Sequence, residues 1–134
     1  FLAPENAKQI ISKIESKGNK KIILTERGMT FGPSQLVADF TSLATMRNTG
    51  YPVCFDASHS VQRPGGLGHA SGGKSEFIPL LARSGVAAGL DSLFMEVHSN
   101  PKKPLSDGPN MLKLSELPKI FKTLKAIDKE VKGK

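Results

Sequence analysis

Five side chains in this sequence have the types and spacing to do chemistry: Arg27, Asp56, His59, Glu96 and Asp107. Each lies at or beyond the end of a short apolar run or in the loop after it. In Thr25-Glu26-Arg27-Gly28, the guanidinium fork suits a carboxylate or phosphate. Gly28 beside it permits a sharp turn or a close ligand approach. An Arg27 paired with Glu26 for structure alone reads the same residues equally well. Asp56 stands three residues before His59 and either orients its imidazole or only holds the turn. His59, Glu96 and Asp107 supply one imidazole and two carboxylates, a mixed donor set suited to a divalent metal. Acids at strand ends also serve structure, so convergence of the three is the deciding feature.

The segment after His59 is rich in glycine: Arg63-Pro64-Gly65-Gly66-Leu67-Gly68-His69-Ala70-Ser71-Gly72-Gly73-Lys74. Its backbone N–H groups, with Arg63 and Lys74, can wrap an anion or close as a lid. No Gly-x-Ser-x-Gly elbow is present, so Ser58 with His59 and Asp56 makes no hydrolase case.

These groups need a scaffold that alternates helix and strand. Residues 5–17 carry Ala7, Ile10, Ile11 and Ile14 at helical spacing, with Gly18-Asn19 as a stop. Residues 21–25 read as a buried strand. Ser34 is placed to cap a second helix carrying Leu36, Val37, Phe40, Leu43, Ala44 and Met46. Residues 52–56 form the next strand and residues 58–73 a long loop. A third helix carries Phe77, Ile78, Leu80, Leu81 and Val86. Residues 92–97 read as a strand, residues 99–110 as a second long loop and residues 114–131 as the last helix, with Leu117, Ile120, Phe121, Leu124 and Ile127 on its apolar side. The class is therefore α/β with a parallel sheet. The polar and Gly-rich residues follow the strands, as in a (β/α)8 barrel or a small open sheet.

Composition excludes several functions. The net charge of +7 is concentrated in the tail, where lysines alternate with Glu116, Asp128 and Glu130 as on a solvated helix face. Trp is absent and aromatics are scarce, so base stacking is poorly served and nucleic acid is not an expected partner. No apolar run is long enough to span a bilayer. The single cysteine, Cys54, forms no disulfide framework, reads as a small buried hydrophobe and suits a reducing cytoplasm. The chain opens Phe1-Leu2-Ala3-Pro4, without Met or a signal peptide, and its start reads as cut.

Taken jointly, Phe1-Leu2-Ala3-Pro4, Glu26-Arg27-Gly28 through Phe31-Gly32, Phe55-Asp56-Ala57-Ser58-His59-Ser60-Val61-Gln62, Ser71-Gly72-Gly73, Phe94-Met95-Glu96-Val97-His98 and Ser106-Asp107-Gly108-Pro109 resemble the 3-deoxy-D-manno-octulosonate 8-phosphate synthases. These enzymes condense phosphoenolpyruvate with arabinose 5-phosphate for lipopolysaccharide synthesis. The resemblance implies that residues 1–134 are one partial catalytic domain, a TIM barrel from the end of strand 5 through helix 8. The first half is then absent and the fragment alone inactive. It further implies a cytoplasmic homotetramer, Arg27 and Gln62 as substrate-binding residues, and Arg27, His59 and Asp107 as catalytic ones. His59, Glu96 and Asp107 correspond to three metal ligands (for zinc, iron, manganese or a similar ion) of the family's metal-dependent branch. The fourth ligand is a cysteine outside this sequence, not Cys54. An asparagine replaces it in the metal-independent branch, while Leu105-Ser106-Asp107-Gly108 leans to the metal-dependent one.

Two other readings compete. The related 3-deoxy-heptulosonate phosphate synthases take erythrose 4-phosphate and share the strand-end Arg, His, Glu and Asp. The run Ser60-Val61-Gln62-Arg63-Pro64-Gly65-Gly66 with Ser71-Gly72-Gly73 argues against them. A non-catalytic basic binding fragment is the alternative from another class.

Overall fold

A computed structural model describes residues 3–32, 35–65, 72–104 and 106–133. Nine short strands and four α-helices appear among them. In chain order these are α1 (Ala7–Glu15), β1 (Leu24–Glu26), β2 (Met29–Thr30), β3 (Leu36–Val37), α2 (Phe40–Arg47), β4 (Val53–Asp56), β5 (Gln62–Arg63), β6 (Gly72–Gly73), α3 (Ile78–Ala87), β7 (Ser92–Phe94), β8 (Val97–His98), β9 (Leu112–Lys113) and α4 (Leu117–Lys132).

The centre is a parallel sheet in the order β1-β4-β7. Its register aligns Thr25 with Cys54 and Cys54 with Ser92, and Glu26 with Phe55 and Phe55 with Leu93. Strand periodicity of two sends these rows to opposite faces. The Val53 and Phe55 face carries the core with Leu43, Ile78, Ala82 and Val86. Both crossover helices reach Phe55: the Phe40 ring of α2 lies 5.2 Å from it, and Gly85 of α3 packs directly against it. A Cβ on Gly85 would stand 2.7 Å from Phe55 Cδ1, so that approach requires glycine. The Cys54 row is less covered, and Cys54 is half-buried rather than buried as its apolar run suggests. Its neighbours in the row, Thr25 and Ser92, are too small to cover it.

Several element bounds differ from the sequence reading. Leu36 and Val37 belong to β3, which pairs antiparallel with β2 instead of opening the second helix. Gly28, with φ 87°, turns the chain so that the ribbon closes at Val37. The helix begins after Asp39, whose carboxylate accepts from Thr41 N at 2.8 Å and Thr41 Oγ1 at 2.7 Å. Those bonds hold the Asp39 carboxyl below its ordinary range. Ser34, the expected cap, lies outside the described residues.

The first sheet strand starts at Leu24, where pairing with Val53 begins, and not at Lys21. The run over residues 92–97 breaks after Phe94. Phe94 O accepts from Ala57 N, and Glu96 N donates to Ser58 Oγ at 2.7 Å, which removes it from the ladder. Val97–His98 then pairs parallel with Leu112–Lys113. In the glycine-rich segment Gln62–Arg63 pairs antiparallel with Gly72–Gly73, while residues 66–71 lie outside the described residues. The last helix starts at Leu117 after a 3₁₀ turn over Leu114–Glu116. Phe121 on it is exposed and covered only by Lys125, 5.6 Å above its ring.

At the other end of the sheet, Asp91 ties the strands from below. It accepts from Val53 N at 2.9 Å and pairs with Arg47 at 3.4 Å. No helix among the described residues is long and apolar enough to cross a membrane.

Candidate cation and anion site

The candidate residues gather where the parallel strands end. Arg27 follows β1, Asp56 closes β4, and His59 lies in the 3₁₀ turn His59–Val61. Glu96 follows β7 by two residues, and Asp107 precedes the 3₁₀ turn Gly108–Asn110.

Asp56 is buried and organises the turn after β4. Its Oδ1 accepts from Ser58 N at 3.1 Å and His59 N at 2.9 Å, and its backbone carbonyl accepts from Ser60 Oγ at 2.6 Å. Its Oδ2 lies 2.7 Å from His59 Nδ1. A carboxylate there accepts from Nδ1, which leaves Nε2 of a neutral imidazole as a lone pair. Both readings of Asp56 from the sequence therefore hold: it orients the imidazole and it holds the turn.

His59 Nε2 faces Glu96 Oε1 at 3.7 Å. Ligand atoms of His59, Glu96 and Asp107 all lie within 4.8 Å of one another. Glu96 Oε2 is buried, without a hydrogen-bond partner among the described residues. Among the described residues no lysine or arginine forms an ion pair with Glu96 or Asp107. Converging lone pairs with an unsatisfied buried carboxylate oxygen fit a divalent cation, which satisfies all three at once.

Arg27 approaches from β1. Its Nη2 donates to Gln62 Oε1 at 3.3 Å, and Gln62 Nε2 donates to Asp107 Oδ1 at 3.5 Å. Glu26 is not its partner, because Glu26 accepts from Gly28 N at 2.7 Å and from Ser42 Oγ at 2.9 Å. The structural pairing considered for Arg27 is thus replaced by a neutral amide. Its charge stays available to an anion beside the three acidic and imidazole groups.

Comparison with known proteins shows the family. Residues 1–133 match the DAHP synthetase I family. The chain belongs to that family. Proteins of Pelobacter propionicus and Geobacter sulfurreducens named 2-dehydro-3-deoxyphosphooctonate aldolase are 57% and 56% identical to it over 132 residues, 98% of this chain and 48% of each relative. One of the same name from a Cyanothece species is 56% identical over 127 residues, 95% of this chain and 46% of that relative. The chain spans about half the length of the curated relatives it matches.

The sequence reading did not assign the contacts of three residues, Ser58, Gly73 and Asn110. Ser58 is fully buried and its hydroxyl sets the Glu96 backbone, although it was weighed only as a nucleophile. Gly73 and Asn110 meet across two loops. Their partners are remote in sequence, so spacing carries no signal of either contact.

Proposed function

We propose that this chain belongs to an enzyme condensing phosphoenolpyruvate with arabinose 5-phosphate and water. The products are 3-deoxy-D-manno-octulosonate 8-phosphate, a lipopolysaccharide precursor, and inorganic phosphate. The name its relatives carry is another name for that synthase. The observation that carries the reading is the likeness to relatives of that name, and the cluster of His59, Glu96 and Asp107 beside the Arg27–Gln62 pair supports it.

Residues 1–134 supply the carboxyl-terminal half of a (β/α)8 barrel in this reading. A parallel sheet is ordinarily covered on both faces. Here α2 and α3 cover the Phe55 face, while the Cys54 row, with small Thr25 and Ser92, fits a barrel interior closed by further strands. Along the edge of β1 runs a groove of about 840 Å³ lined by Ala7, Ile10, Ile14 and Ile23, where a preceding strand would pair. The half-length match supports the same division.

Two highly anionic substrates must be neutralised and aligned. Arg27 binds the phosphate or carboxylate of phosphoenolpyruvate, and Gln62 sets the angle of its fork. C3 of phosphoenolpyruvate then bonds to the sugar aldehyde carbon, water adds at C2, and phosphate departs with C–O cleavage. Positioning and fixed charge supply much of the rate. His59, Glu96 and Asp107 would hold the divalent ion, which supplies orientation and polarisation. Asp56 fixes the His59 tautomer that such a role requires. In this reading the complete enzyme is a cytoplasmic homotetramer; Cys54, the one cysteine of this chain, agrees with a reducing compartment.

The test is acceptor choice in the complete enzyme. Phosphate release from phosphoenolpyruvate should be faster with arabinose 5-phosphate than with erythrose 4-phosphate. Preference for the four-carbon sugar would move the protein to the related heptulosonate synthases, and release with neither sugar would refute the reading.

A further inference from the structure

We propose that Asn110 and Gly73 form a latch that positions Asp107, and with it Gln62, for cation binding; this rests on the cation reading above. Asp107 adopts φ 52° and ψ 20°, a left-handed conformation that Asp tolerates better than most residues with a Cβ but still less readily than glycine. Contacts around the turn help to hold it. Two contacts that tolerate only glycine, at Gly108 and at Gly73, hold this turn.

The first is Gly108, where a Cβ would stand 2.7 Å from Pro101 O and from Pro104 Cγ. The second is Gly73 of β6. A Cβ there would overlap Asn110 Oδ1 and stand 2.7 Å from both Asn110 Cγ and Pro109 O. Asn110 is fully buried, and among the described residues neither Oδ1 nor Nδ2 of its side chain has a hydrogen-bond partner. A buried amide without partners opposes folding. Its shape against Gly73 is what it contributes instead.

The contacts close a circuit. Gln62 pairs with Gly73 across the β5–β6 ribbon, and Gly73 abuts Asn110. Asn110 N donates to Asp107 O at 2.8 Å, and Gln62 Nε2 reaches Asp107 Oδ1. The ribbon carrying the Arg27 partner and the turn carrying Asp107 therefore move as one body. Neither Asn110 nor Gly73 touches the proposed ion; both are positioning residues.

The test is Mn²⁺ titration of the metal-stripped complete enzyme, read by loss of the free-ion EPR signal, alongside thermal unfolding without metal. Asn110→Ala removes the unpaired amide, so Tm should stay at or above that of wild type. Mn²⁺ affinity should fall about tenfold, as when groups that orient metal ligands are lost. Gly73→Ala should weaken binding at least as much, and Asn110→Ala in the same chain should recover part of the loss by freeing space. Equal Mn²⁺ affinity in wild type and Asn110→Ala overturns the latch alone. Failure of the wild type to bind Mn²⁺ overturns the cation reading, and the latch with it. Parallel losses of Tm and affinity in Asn110→Ala would mark the contact as ordinary packing and overturn the positioning role.

Discussion

His59 Nδ1 lies 2.7 Å from Asp56 Oδ2, while the same carboxylate's Oδ1 accepts from the backbone N–H groups of Ser58 and His59. One buried acid thus fixes both the imidazole ring and the backbone that carries it. The direction of Nε2, toward Glu96 and Asp107, follows from that double attachment.

Replacing Asp56 by Asn separates the two tasks. Asn Oδ1 keeps the backbone bonds, but its NH₂ faces Nδ1 and forces the proton onto Nε2, which then points at the site. Cation affinity should drop about 10- to 100-fold, with little change in stability. Asp56→Ala should lose affinity and also about 1–3 kcal/mol of stability, because two backbone N–H groups are left unpaired. Metal titration with urea unfolding of both variants checks the split.

Arg27→Ala should lower kcat/KM for phosphoenolpyruvate by roughly 10- to 100-fold, the cost of losing charge-assisted hydrogen bonds. Arg27→Lys should recover little, since an ammonium cannot reproduce the fork held by Gln62. Steady-state kinetics near those of wild type in either variant would remove Arg27 from the binding site.

Asp39 offers a pH test away from the site. As the N-cap of α2 it should be worth about 1 kcal/mol relative to Ala at pH 7. Its folded pKa is lowered by Thr41, so its contribution is fully present above the unfolded value of about 3.9 and fades as pH falls through the lower folded value. Urea melts of wild type and Asp39→Ala should differ at pH 7 and converge in strongly acidic buffer. A gap that widens on acidification contradicts the cap.

Gly85→Ala sets two effects against each other. Helix propensity favours Ala by about 1 kcal/mol, whereas overpacking a tight core costs about 1–3 kcal/mol. Phe55 is fully buried and Leu90 Cδ2 stands 3.0 Å from the added carbon, so neither neighbour yields easily. A net destabilisation of about 1 kcal/mol is expected in chemical denaturation, with substrate affinity unchanged.

The alternation of helix and strand was legible because Ile10, Ile11 and Ile14, or Val53 and Phe55, repeat with distinct periods. So was the placement of Arg27, His59, Glu96 and Asp107 past strand ends. Leu36 and Val37 were not, since two adjacent apolar residues suit either period, and Asp39 outcompetes an earlier cap through its bond to Thr41. The break after Phe94 depends on Ser58, remote in sequence, taking the Glu96 N–H. Long-range hydrogen bonds of that kind leave no periodic trace.

His59, Glu96 and Asp107 are proposed to act as one cation site serving the Arg27 anion pocket. Turnover of the complete enzyme with phosphoenolpyruvate and arabinose 5-phosphate, measured before and after chelation, tests it most directly. Turnover should be lost on chelation and return when a divalent ion is restored. Unchanged turnover in the chelated enzyme would contradict it.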